Sequence, residues 1–349
     1  MRGKGINYDT GFINSAGVST HEPFDPEIVK REMRIIRDDL HCNVVRITGG
    51  DVDRLEIAAL HATDAGLEVW LSPFTHDLTT DELLNFLADC AERAERLRRR
   101  GAEVTLLTGS ELSLFTIGFL PGETLAERIA LVADPLRLRP MIGEVRARIN
   151  DFLRRAVEVV RARFGGKVSY AALPLEGVDW APFDIIATDA AYRSAATAER
   201  FRENIRAFVA QGRAQGKPVA VTEFGCGTHR GAADVAGHGA SIIVWSDDDR
   251  AARLNGEYVR DEGEQSTYLR ELLEVFEAEG VDSAFVYTFA IYFLPHRSDP
   301  REDLDMASYG VVKVLDGQGG ARDPRGRRYP DMPWEPKAAF TALADYYRD

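Results

Sequence analysis

Residues 218–225 read Pro-Val-Ala-Val-Thr-Glu-Phe-Gly. The apolar run has the length and β-branched content of a strand buried on both faces, and it closes on a carboxylate, Glu223. Residues 104–111, Val-Thr-Leu-Leu-Thr-Gly-Ser-Glu, repeat the pattern and close on Glu111. A carboxylate at the end of a buried strand is costly unless it is paired, hydrogen-bonded or open to a cleft. Two of them at matching ends of different strands point to one shared site.

Outward from these segments, strand-like runs alternate with helical periodicity along the chain. Strands are expected near 5–9, 43–48, 68–73, 103–108, 167–173, 185–189, 218–222 and 284–289. Helices are expected over 26–40, 53–65, 80–100, 141–164, 198–215, 265–279 and 336–347. Gly66, Gly101, Gly165, Gly216 and Gly280 each follow a helix, as helix-ending glycines do. The count predicts an α/β fold, a single (β/α)8 TIM barrel spanning residues 1–349. Residues 176–184 are too few for a helix and contain Pro182, so a single turn is expected there. No Gly-x-Gly-x-x-Gly turn follows an early strand, which speaks against a doubly wound sheet.

Connections far longer than the usual few residues follow the fourth, seventh and eighth strands, after Glu111, Glu223 and Phe289. All three leave from carboxyl ends of strands, the face where barrels carry their sites. Their aromatic residues, Phe115, Phe119, Trp245, Tyr258, Tyr292 and Phe293, mark them as lids over a site. The Gly-, Arg- and Pro-rich stretch 316–333 is expected to be a mobile surface loop.

At 349 residues and 45% hydrophobic, the chain can bury a large core. A net charge of −13 excludes nucleic acid and anionic membrane as partners. The Arg-Leu-Arg-Arg-Arg run ending at Arg100 falls at a helix C-terminus, where it complements the helix dipole. Cys42, Cys90 and Cys226 are odd in number and scattered, so neither a disulfide framework nor a metal array is expected, and a reduced cytoplasmic location fits. The opening residues lack the apolar core of a signal peptide, and no stretch is long and apolar enough to span a bilayer. The histidines show no metal-ligand spacing, Ser-Asp-Asp-Asp-Arg at 246–250 lacks the calcium-loop pattern, and no Gly-x-Ser-x-Gly elbow exists. No metal and no cofactor are expected.

Across the mouth of a barrel, side chains ending the fourth and seventh strands converge. Glycoside cleavage needs such a pair: one carboxyl group kept protonated for the leaving oxygen, the other ionised on the opposite face of the sugar. Arg46, on the second strand after Val44-Val45, could keep Glu223 ionised, or could pair with another acid. Tyr192 reads either as a partner of Glu223 or as a rim tyrosine. His76, Asn7 and Asp9 are candidates for sugar hydroxyls, and Trp245, Phe289 and Tyr292 for walls against a sugar face or aglycone.

Together with Thr-Glu-Phe-Gly at 222–225, this arrangement resembles the retaining glycoside hydrolases of the clan A superfamily. The resemblance implies a barrel with Glu223 as nucleophile, Glu111 as acid/base, Arg46 beside the nucleophile and Tyr192 hydrogen-bonded to it. The family's asparagine before the acid/base is Ser110 here, and its tryptophan at the end of strand eight is replaced, with Phe289 the nearest candidate. Gly-Ile-Asn-Tyr-Asp-Thr-Gly at 5–11 also resembles a bacterial group labelled "abortive infection protein". The expected activity is retaining hydrolysis of a small glycoside or oligosaccharide through Glu111 and Glu223. The competing readings are a non-catalytic or repurposed barrel that binds a carbohydrate or a protein partner, and a lyase or isomerase on the same scaffold.

Overall fold

A computed structural model describes residues 1–13, 17–246, 250–316 and 327–348. Seven barrel strands are β1 (Gly3–Asp9), β2 (Val44–Gly49), β3 (Glu68–Pro73), β4 (Val104–Ser110), β5 (Lys167–Ala172), β6 (Ile186–Thr188) and β7 (Val219–Phe224). The eighth is Ser283–Val286, and it pairs in parallel with both β7 and β1 to close the barrel. This is the (β/α)8 fold that the sequence predicts.

Period-two alternation decides what each strand sends inward. On β2, Val44 joins Trp70, Leu107, Ala171, Ala187, Ala220 and Phe285 in the barrel interior, while Val45 and Ile47 join the layer packed against the helices. Arg46, two residues beyond Val44, therefore stands inside the barrel, where its side chain is completely buried. Gly5 leaves room for this interior: a Cβ there would come within 2.6 Å of the Phe285 ring.

The first helices begin where local chemistry starts them. Asp25 caps Pro26–Asp38, with proline in the first turn, and Thr79 and Glu82 form a capping box at Thr80–Arg99. Between β5 and β6 stands a single turn, as the sequence predicts: a 3-10 turn over Pro174–Glu176.

The long connections hold more structure than the sequence reading gave them. After β4 come three short helices, Leu112–Phe115, Leu125–Val132 and Pro135–Leu138. After β7 a hairpin pairs Ile243–Trp245 with Ala251–Leu254, and after the eighth strand Val312–Val314 pairs with Trp334–Pro336. The acidic positions 247–249 and most of the stretch 316–333 lie outside the described residues. Among the described residues no helix is long and apolar enough to cross a membrane.

One buried ionic network joins the last two connections. Lys337 Nζ lies 2.9 Å from Asp305. Arg260 reaches Asp305 at 2.8 Å and Asp303 at 2.7 Å, and His296 lies 2.9 Å from Asp303. Burial lowers the Lys337 pKa, while Asp305 opposes the shift. Lys337→Met removes the cation and leaves a buried carboxylate under-compensated, so stability should fall by about 3 kcal/mol, read from the urea midpoint.

Candidate active site

Two bulges aim the carboxylates. Along β4, Leu107 pairs with Ser169 and Ser110 with Ala171, so β4 carries one residue more than its partner. Along β7, three steps from Val221 to Phe224 oppose two on the eighth strand, from Ala284 to Val286. Strict alternation from the interior residues Leu107 and Ala220 would turn Ser110 and Glu223 outward. The extra residue reverses this, a recurrent use of bulges beside active sites. Gly109, with φ 128°, supplies the backbone that the β4 bulge needs.

Glu111 itself is left-handed (φ 47°, ψ 42°), a conformation that costs a non-glycine residue about 1–3 kcal/mol unless its surroundings impose it. Its N–H donates to the Ala171 carbonyl at 3.0 Å. The next two N–H groups are held as well: Leu112 donates to the Tyr170 hydroxyl and Ser113 to Glu176, both at 2.9 Å. Tyr170 in turn donates to Glu176 at 2.8 Å.

Both glutamates line one cavity of about 360 Å³ at the carboxyl ends of the strands, with Asp9, Thr48, Tyr192 and Tyr287 on the same floor. Glu223 Oε1 accepts from Arg46 Nη1 at 3.0 Å, and Oε2 accepts from the Tyr192 hydroxyl at 3.0 Å. Arg46 also grips Asp189 with both terminal nitrogens (2.9 and 3.3 Å) and donates through Nε to Ser72 at 3.1 Å. Ser110 donates its hydroxyl to Asp189.

One guanidinium thus pairs with two carboxyl groups, Asp189 and Glu223. Burial pushes Glu111 well above the usual carboxylate range, reinforced by the charges of Asp189, Glu223 and Glu176. Arg46 opposes that shift only through space. Burial and Asp189 also raise Glu223, to about 8, against the direct hydrogen bonds from Arg46 and Tyr192. Such a pair titrates as a unit. The proton retained near neutrality belongs on Glu111, because the donors that stabilise an anion all point at Glu223.

Of the residues singled out from sequence, Glu111, Glu223, Tyr192, Asp9 and Trp245 line the cavity. Arg46, Ser110 and Asn7 lie beneath it, buried; Asn7 Nδ2 donates to the Thr222 carbonyl at 2.9 Å. Three expected contacts fall elsewhere. Phe289 is fully buried between Tyr8 and Trp334, with ring centroids 6.1 and 5.3 Å away. Tyr292 stacks on His21 at 3.8 Å and donates to the buried Glu32. His76 pairs with Asp77 at 3.0 Å and does not line the cavity. The eighth strand ends at Val286, three residues before the expected end, so the chain has turned by Phe289 and presents Ile291 and Phe293 instead. Sequence reading passed over Asp189, although it follows β6 with the same signal as the two glutamates: a carboxylate closing an apolar run.

No family model matches the chain, and no curated protein matches it. Solved structures do. A GH113 β-1,4-mannanase superposes with a TM-score of 0.61 at 17% identity over 100% of both chains. The GH113 β-mannanase AaManA from Alicyclobacillus acidocaldarius gives 0.58 at 13% identity, over 99% of this chain and 97% of that one. A β-glucosidase, 1317, gives 0.54 at 12% identity, over 100% and 98%. What these structures share with the chain is the barrel fold. These structures lend nothing to the abortive-infection resemblance at residues 5–11. At such identities the likeness is one of fold, and the chemistry has to be argued from the residues.

Proposed function

We propose that the protein is a glycoside hydrolase that cleaves a small glycoside or oligosaccharide with retention at the anomeric carbon. The supporting observation is the asymmetry of the two carboxyl groups on one cavity floor. Glu223 carries two donors suited to an anion, while Glu111 is partly buried at the cavity, surrounded by negative charge and raised well above its ordinary range. Burial raises both groups, but the two donors hold Glu223 back to about 8, so of the two Glu111 is the one that keeps its proton.

In the first step a Glu223 oxygen attacks the anomeric carbon. The glycosidic C–O bond breaks, and Glu111 gives its proton to the departing oxygen. In the second step Glu111, now a carboxylate, takes a proton from water as the water oxygen attacks the same carbon and releases Glu223. Two inversions give net retention. Proton NMR of the anomer formed first, before mutarotation, tests this: the substrate's own anomer is expected, and the opposite anomer would overturn the double-displacement assignment.

Tyr192 supports the anion of Glu223, so Tyr192→Phe should raise the Glu223 pKa. The acidic limb of the kcat/KM profile should then move to higher pH by about one unit, the worth of one hydrogen bond to a charged group. An unmoved limb would remove Tyr192 from this role.

A further inference from the structure

Above its polar floor the cavity changes character. The floor is made at strand ends by Asp9, Thr48, Glu111, Glu223 and Tyr287. The walls come from the connections and are apolar: Phe12, Ile243, Trp245, Ile291, Phe293 and Leu294. Ile243 and Trp245 stand on the hairpin after β7, and the last three on the turn after the eighth strand. This wall has a backing, since Ile243, Ile291 and Leu294 pack with Leu254 and Leu304 in an apolar cluster separate from the main core. At the same cavity Trp245 is 43% exposed and Phe293 37%, an apolar surface left in water on a protein that buries most of its large apolar side chains.

The choice of occupant follows from hydrogen-bond accounting. A sugar unit carries hydroxyls on most of its carbons. Against isoleucine and leucine each of those would lose water and gain no partner. A hydrocarbon group loses nothing there and gains from every methylene covered. We infer that the apolar walls above this floor take an apolar aglycone, so that the substrate is an alkyl or aryl glycoside and not a chain of sugars. This rests on Glu111 and Glu223 being the cleaving pair.

Methyl and octyl glycosides test it, because both release a primary alcohol of similar acidity and differ only in hydrocarbon. Across a panel varying in sugar and anomer, the octyl glycoside of the accepted sugar should exceed its methyl counterpart in kcat/KM by about 50-fold, the worth of about three buried methylenes. Both rim residues are exposed, so the double variant Trp245→Ala, Phe293→Ala should fold, and it should cut that ratio by about fivefold or more. A ratio near one, a disaccharide of the same sugar cleaved as well as the octyl glycoside, or an unchanged ratio in the double variant would each overturn the aglycone assignment while leaving the hydrolase reading in place. If no glycoside is cleaved, calorimetry with the same two probes decides. Octyl binding about tenfold or more tighter than methyl keeps the apolar wall and removes the hydrolase reading. Equal or absent binding overturns the inference.

Discussion

Glu223→Gln should abolish glycoside turnover, with kcat falling by about five orders of magnitude. The amide keeps the shape of the side chain, and its oxygen still accepts from Arg46 or Tyr192, but it cannot form the bond to the anomeric carbon. Loss of fold is separable from loss of chemistry. Two carboxyl groups share Arg46, and burial and Asp189 raise the Glu223 pKa. A group whose folded pKa is raised opposes folding once pH exceeds its unfolded value, so its neutral replacement should unfold at equal or higher denaturant at pH 7 to 8. A variant that is folded, binds substrate and is inert supports Glu223 as nucleophile. A variant retaining more than about one per cent of the rate would remove that role.

Glu111→Ala should give the second largest loss, and one that depends on the substrate. With an alkoxide leaving group, bond breaking needs the proton that Glu111 holds, and the rate should fall by about 10²- to 10⁴-fold. With a dinitrophenolate leaving group, which departs without a proton, formation of the glycosyl-enzyme should be nearly unaffected. The basic limb of the pH profile should also vanish, because it reports deprotonation of Glu111. Steady-state rates for leaving groups of graded basicity provide the measurement. An equal loss across the series, with the basic limb intact, would show that Glu111 is not the acid.

Most of the barrel could be read from periodicity because its strands are short apolar runs and its helices are long and capped. The connections could not. Leu125–Val132 is only eight residues long, too short for periodicity to register, although its Thr124–Glu127 capping box stands in the sequence. The carboxylates were readable for one reason, the conflict between charge and a buried strand end. Asp189 shows the same conflict at the end of β6, but as a third carboxylate it has no counterpart across the mouth to single it out. The bulges were out of reach: an inserted residue shows only as pairing between distant strands. Gly109 is the single local hint. Phe289 and Tyr292 were misplaced for a related reason, since an apolar run continues past Val286 while the strand does not.

The network of Lys337, Asp305, Arg260, Asp303 and His296 has a consequence for how this protein could be re-engineered. Arg260 comes from the connection after β7, the two aspartates from the one after the eighth strand, and Lys337 from the base of the last helix. The two cavity walls are therefore tied into a single module. Grafting the connection after β7 alone onto another barrel would bring the Arg260 guanidinium without its carboxylates. Recombination can exchange this pair of connections only together, with the C-terminal helix attached.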